Sequence, residues 1–139
     1  MIKEIVILSL LNLANGEQAN LQLGIVTGQM FKHQTDVFGE LTLDYKQWTF
    51  STGLIGGNSL TDVSSITHDI MEKCIREYCL KTAVGVAYVN NSPFVGQWNY
   101  RSGIEVRRGN LSLGSDHISS NSIYDPNNGL DRVYFKVYF

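Results

Sequence analysis

His117-Ile118-Ser119 and Asp131 are the side chains whose types and spacing fit a common chemistry. An imidazole, a hydroxyl and a carboxylate are the groups that nucleophilic catalysis draws on. Side chains alternate with period two along a strand. Leu111, Leu113, His117 and Ser119 therefore share one face, and Ser112, Gly114 and Asp116 take the other. Beyond the next loop, Asp131 shares its face with Val133, Phe135, Val137 and Phe139, against Arg132, Tyr134, Lys136 and Tyr138. Base, hydroxyl and carboxylate all fall on the greasier faces of two neighbouring strands. A soluble enzyme would gather such groups in a cleft. On the wall of a barrel they suit a lipid that comes to the outside of the protein.

The elements that must position these groups read as strands throughout. In 35–46, Val37, Leu41, Leu43 and Tyr45 alternate with Asp36, Glu40, Thr42, Asp44 and Lys46. In 95–108, Trp98, Tyr100, Ile104 and Val106 alternate with Gln97, Asn99, Arg101, Glu105 and Arg107. The assignment is 20–31, 35–46, 47–58, 65–74, 79–90, 95–108, 109–119 and 130–139. Eight strands are the smallest common size of a closed spanning barrel. The weakest is 65–74, because Ile66, Ile70, Met71 and Cys74 also fit a helix over 64–78. The fold expected is an all-β, small antiparallel up-and-down transmembrane β-barrel of about eight strands. Its charged face would fill the interior, where Asp36, Glu40 and Asp44 can pair with Arg101 and Arg107. Short links fall near Lys46-Gln47, Ile75 to Tyr78 and Arg108-Gly109-Asn110, and longer polar links at 58–64, 91–94 and 120–129. With both termini on the periplasmic side, His117, Ser119 and Asp131 converge at the depth of the outer leaflet.

Composition agrees with one such domain. The chain has 139 residues with thirteen glycines, seven tyrosines and two prolines, a pattern of short strands and tight turns. A formal net charge of −2 leaves no basic footprint, so nucleic acid is not an expected partner. A mean hydropathy near zero fits a spanning barrel, which needs only every second residue apolar. No apolar run reaches the length of about 18 residues that a transmembrane helix needs. Lys3 followed by an apolar stretch from Ile5 to Ala14 has the length of a signal-peptide core. Residues 1–19 are therefore expected to be a signal peptide, cleaved after Ala14 or Ala19, and 20–139 the barrel. A first strand or an amphipathic N-terminal segment that stays attached is the alternative. Cys74 and Cys79 could staple the base of a hairpin in an oxidising periplasm, two free buried thiols being the competing reading. Their spacing matches no standard zinc arrangement.

At the C-terminal residues the chain resembles the lipid A 3-O-deacylase family of outer-membrane, acyloxyacyl-hydrolase-like barrels. That family carries His-x-Ser-Asn, a loop with Pro-Asn-x-Gly, an acidic residue two positions later and a last strand ending in Phe. Here His117-Ile118-Ser119, Pro126-Asn127-Asn128-Gly129, Asp131 and Phe139 fall at matching spacings. The resemblance implies a serine esterase of the outer membrane in which Ser119 attacks, His117 takes its proton and Asp131 orients the imidazole. It implies Asn127, or the backbone of the turn ending at Gly129, as oxyanion donor. It implies lipid A, within lipopolysaccharide, as substrate, and neither metal nor organic cofactor. Two departures stand out: Ser120 replaces the family's Asn, and Asp131 its usual Glu.

Blander readings accompany these. His33 and His68 are expected to be solvated, and Gly56-Gly57 lacks the lysine of a phosphate loop. Trp48, Trp98 and Tyr100 read as interface anchors or as core aromatics. A non-catalytic barrel with a degenerate site and a soluble lipocalin-like barrel are the competing functions, and a homodimer that buries part of the wall would mask the site.

Overall fold

The computed structural model describes residues 18–26 (backbone), 36–56, 60–92, 95–120 and 129–138. Period-two alternation becomes eight strands: β1 Gln18–Val26, β2 Asp36–Tyr45, β3 Trp48–Gly56, β4 Thr61–Ile75, β5 Tyr78–Asn90, β6 Trp98–Arg108, β7 Leu111–Ser119 and β8 Leu130–Tyr138. Each pairs antiparallel with the next, and β8 closes on β1. Gln18 and Ala19 lie within β1, paired with Asp44 and Leu43, so the barrel begins before the expected boundary at residue 20. Residues 1–17 lie outside the described residues, as do His33, Asn127 and Phe139.

Three links are two residues long: Lys46-Gln47, Arg76-Glu77 and Gly109-Asn110. In each the first residue has positive φ, at 55°, 55° and 59°. Positive φ at that position marks primed turns, whose twist matches the strands they join.

Segment 65–74 is part of a strand, not a helix, and the strand runs from Thr61 to Ile75. A register shift between Asp69 and Met71 explains the ambiguity. One extra residue puts the apolar positions after it out of phase, so Ile66, Ile70, Met71 and Cys74 imitate helical spacing. Pairing with β3 stops at His68, whereas pairing with β5 continues to Ile75↔Tyr78. The hairpin end is joined by a disulfide between Cys74 and Cys79, which face each other directly in the register. Glu72 lies beside this bond, but the two sulfurs are spent on each other and offer no thiolate to a metal.

The distribution of side chains is inverted relative to a soluble sheet. Val37, Trp98, Tyr100 and Phe135 are among the exposed outer residues, whereas Glu40, Arg101, Asp116 and Arg132 are buried inside. Buried charges are tolerated only when paired, and here two carboxylates meet two guanidiniums. Arg132 is bidentate on Asp116, with Nε and Nη2 each at 2.7 Å, and its Nη1 reaches Glu40 at 2.8 Å. Arg101 binds Glu40 at 2.9 Å and Asp116 at 2.7 Å and reaches Ser51 at 3.0 Å. The expected pair Glu40–Arg101 thus forms. Arg107 turns instead to the carbonyl of Gly109 at 2.8 Å. Nearer the short turns, Glu105 accepts from Lys136 at 3.0 Å, Tyr134 at 3.2 Å and Tyr138. Toward the long links the interior becomes apolar, with Phe38, Ile55, Val63, Val89, Ile118 and Leu130 packed together. Among the described residues, the interior is thus occupied by paired charges and this apolar cluster, unlike the apolar ligand cavity expected of a lipocalin-like barrel.

Candidate functional site

The register of β7 and β8 sets the site. His117 lies directly opposite Asp131, and Asp116 directly opposite Arg132. Adjacent rows alternate in direction, so one acid–base pair faces inward and the next outward. The outer pair is closed: His117 Nδ1 is 2.7 Å from Asp131 Oδ1. The imidazole is 47% exposed and the carboxylate 17%, so the ring is open to the outside while the acid that holds it is shielded. Bonding at Nδ1 leaves Nε2 as the nitrogen that can take a proton from a hydroxyl.

Behind the outer pair the wall is solid. Ile118 and Leu130, the next cross-strand pair, are 0% and 1% exposed and point into the apolar cluster. Packing on that side holds the backbone from which His117 and Asp131 project.

Gly129 contributes through what it lacks. Its φ is +75°, and a Cβ built there would lie 2.7 Å from Cε1 and 3.4 Å from Nε2 of His117. The bare backbone therefore accepts the edge of the imidazole. Continuing the register one step beyond Ile118↔Leu130 puts Gly129 level with Ser119. The ring accordingly leans up the strand toward the level of Ser119, on the β8 side. Gly129→Ala combines strain at positive φ with displacement of the ring by roughly an ångström, and misplacement of that size costs about 10²-fold in rate. Any reaction that uses this imidazole is expected to slow by that factor, with unchanged heat-modifiable mobility on gels.

Ser119 ends β7 on the outer face and is half-buried. Ser120, just after it, is 1% exposed and so buried, unlike the exposed outer side chains. Its burial contrasts with the exposed His117 and half-buried Ser119. Asn127 falls outside the described residues. His68, expected to be solvated, is half-buried, and its ring meets the edge of Trp48 with centroids 4.6 Å apart.

Sequence reasoning missed the partnership of Asp116 and Arg132. Both were on the inner face by alternation, and each is the immediate neighbour of a site residue. That adjacency was the available signal: a doubly bonded inner pair one row from the outer pair holds the register in which His117 meets Asp131.

In fold the chain is similar to the crystal structure of the outer membrane enzyme PagL, with a TM-score of 0.64 and 14% identity over 86% of this chain and 98% of that one. It also aligns with the backbone structure of the Yersinia pestis outer membrane protein Ail in a phospholipid bilayer nanodisc, with a TM-score of 0.47 and 13% identity over 88% and 99%. No family model and no curated protein matches the sequence. The likeness to PagL is one of fold.

Proposed function

We propose that the chain is an outer-membrane serine esterase that hydrolyses an ester-linked 3-hydroxyacyl chain of lipid A. The observation that carries this reading is the His117–Asp131 pair on the outside of the barrel, beside Ser119 and among exposed apolar side chains. Groups of this kind on a lipid-facing wall have a lipid as their natural substrate. The inverted distribution of apolar and charged residues supports insertion in a membrane. The C-terminal motif resemblance supports lipid A as the acyl donor.

In the reaction, Ser119 Oγ forms a bond to the ester carbonyl carbon and gives its proton to His117 Nε2. Asp131, held on Nδ1, stabilises the imidazolium. The bond to the sugar oxygen then breaks, and the alcohol leaves with the proton from His117. Water, deprotonated by the same imidazole, cleaves the acyl-enzyme and releases the 3-hydroxy fatty acid. Asp131 in place of Glu is no obstacle to this relay, since the shorter acid reaches the ring at 2.7 Å.

The test is mass spectrometry of lipid A from Gram-negative cells expressing the inserted barrel. Loss of one 3-hydroxyacyl mass relative to cells without it supports the reading. Unchanged lipid A around a correctly inserted barrel makes the protein a non-catalytic outer-membrane barrel.

A further inference from the structure

Resting on that esterase reading, the structure assigns β6 a part in the chemistry: we propose that the Tyr100 hydroxyl donates a hydrogen bond to the carbonyl oxygen of the ester attacked by Ser119. Tyr100 lies directly opposite Ser119 in the β6–β7 register. Directly opposed residues have Cβ atoms about 4.5–5.5 Å apart and share a face of the sheet. Tyr100 is 58% exposed on the outer wall. Its hydroxyl has no hydrogen-bond partner among the described residues. The contrast with its neighbours is informative. Trp98, on the same face of β6, is engaged edge-on with Tyr88 at 5.1 Å, and the inward Tyr134 and Tyr138 donate to Glu105.

The site has room for this donor and a need for it. His117 leans against Gly129 on the β8 side, whereas Tyr100 stands on the β6 side of Ser119. As the Ser119 oxygen bonds to the carbonyl carbon, the carbonyl electron pair moves onto oxygen, and that charge requires preorganised donors. Ser120, standing where the resembled family has an amide side chain, is buried. A phenol is a long and relatively acidic hydroxyl donor. It gives a hydrogen bond and keeps its proton, so the acid–base work of His117 is unchanged.

The experiment compares wild type, Tyr100→Phe and Trp98→Leu in detergent, on lipopolysaccharide and on a soluble aryl ester. Tyr100→Phe keeps the ring, and with it any anchoring at the membrane interface. Losing one oxyanion donor costs about 10²–10³ in kcat, so a fall of about 10²-fold in kcat with KM within about two-fold is expected. Trp98→Leu, which removes a larger ring from the same face, is expected to keep kcat. A Tyr100→Phe kcat within about two-fold of an active wild type overturns the assignment, and so does a loss carried by KM alone. A wild type without esterase activity overturns the esterase reading itself, and the proposal with it. Activity in the wild type separates the two failures.

Discussion

Alanine in place of Ser119 or His117 is expected to lower ester hydrolysis by about 10⁴-fold or more, each as severely as both together. In the proposed reaction no acyl-enzyme can form without the hydroxyl, and without the imidazole the hydroxyl would remain a weak nucleophile. Because the two act as one unit, their losses do not add. Asp131→Asn tests the third member. The amide can present N–H to Nδ1, which favours the tautomer with its proton on Nε2 and removes the base from the hydroxyl; the expected loss is about 10³–10⁴-fold. All three positions lie on the outer face, so the interior that holds the barrel together is untouched. Heat-modifiable mobility should remain that of the wild type. The measurement is kcat/KM on an aryl ester and on lipopolysaccharide, at equal amounts of folded barrel. A Ser119→Ala barrel with wild-type turnover would remove serine catalysis from consideration.

Arg132→Met is expected to destabilise the barrel by about 3–5 kcal/mol, the usual result of removing one partner from a buried charge network. The guanidinium is fully buried and holds Asp116 through two bonds and Glu40 through a third. Methionine would leave those two carboxylates sharing Arg101 alone. A negative charge without a counterion in the interior must then protonate or draw in water, and both weaken the folded state. Arg132→Lys keeps the charge but not the fork that binds both oxygens of Asp116, and should fall between wild type and Arg132→Met. Urea titration followed by the loss of heat-modifiable mobility gives the comparison. An unshifted midpoint for Arg132→Met would mean that the network contributes no net stability. The same variant should weaken catalysis in the surviving folded fraction, because Asp116 and Arg132 are chain neighbours of His117 and Asp131.

The eight strands were legible because an up-and-down barrel writes itself as local alternation, and local alternation survives in a single sequence. Val37 and Glu40 could be sorted to opposite sides of the wall without any knowledge of their neighbours. The region around Ile70 was ambiguous for the same reason, since one bulge residue is enough to disturb a period of two. The shared outward face of His117 and Asp131 was legible from alternation, and the structure pairs the two; the nucleophile's part is a proposal that rests on motif spacing. What could not be read were relations between distant strands. Arg132 meets Glu40 across 92 positions of sequence, and nothing local to either residue names the other. Tyr100 read as an interface anchor or a core aromatic, and its position opposite Ser119 exists only once β6 and β7 are in register. Gly129 was legible as part of a turn, but its contact with His117 was not, because that depends on a positive φ and on a ring that leans into the space a side chain would fill.

On the proposed reading, the outward orientation of His117 and Asp131 also fixes the dimensionality in which the lipid substrate would be encountered. A molecule confined to one leaflet reaches this wall by lateral diffusion and never crosses bulk water, so its molar concentration in the sample has no bearing on the encounter. Turnover would follow its mole fraction in the surrounding film. Inert detergent or lipid added at constant substrate would slow the reaction by surface dilution, although every soluble quantity in the tube had stayed the same.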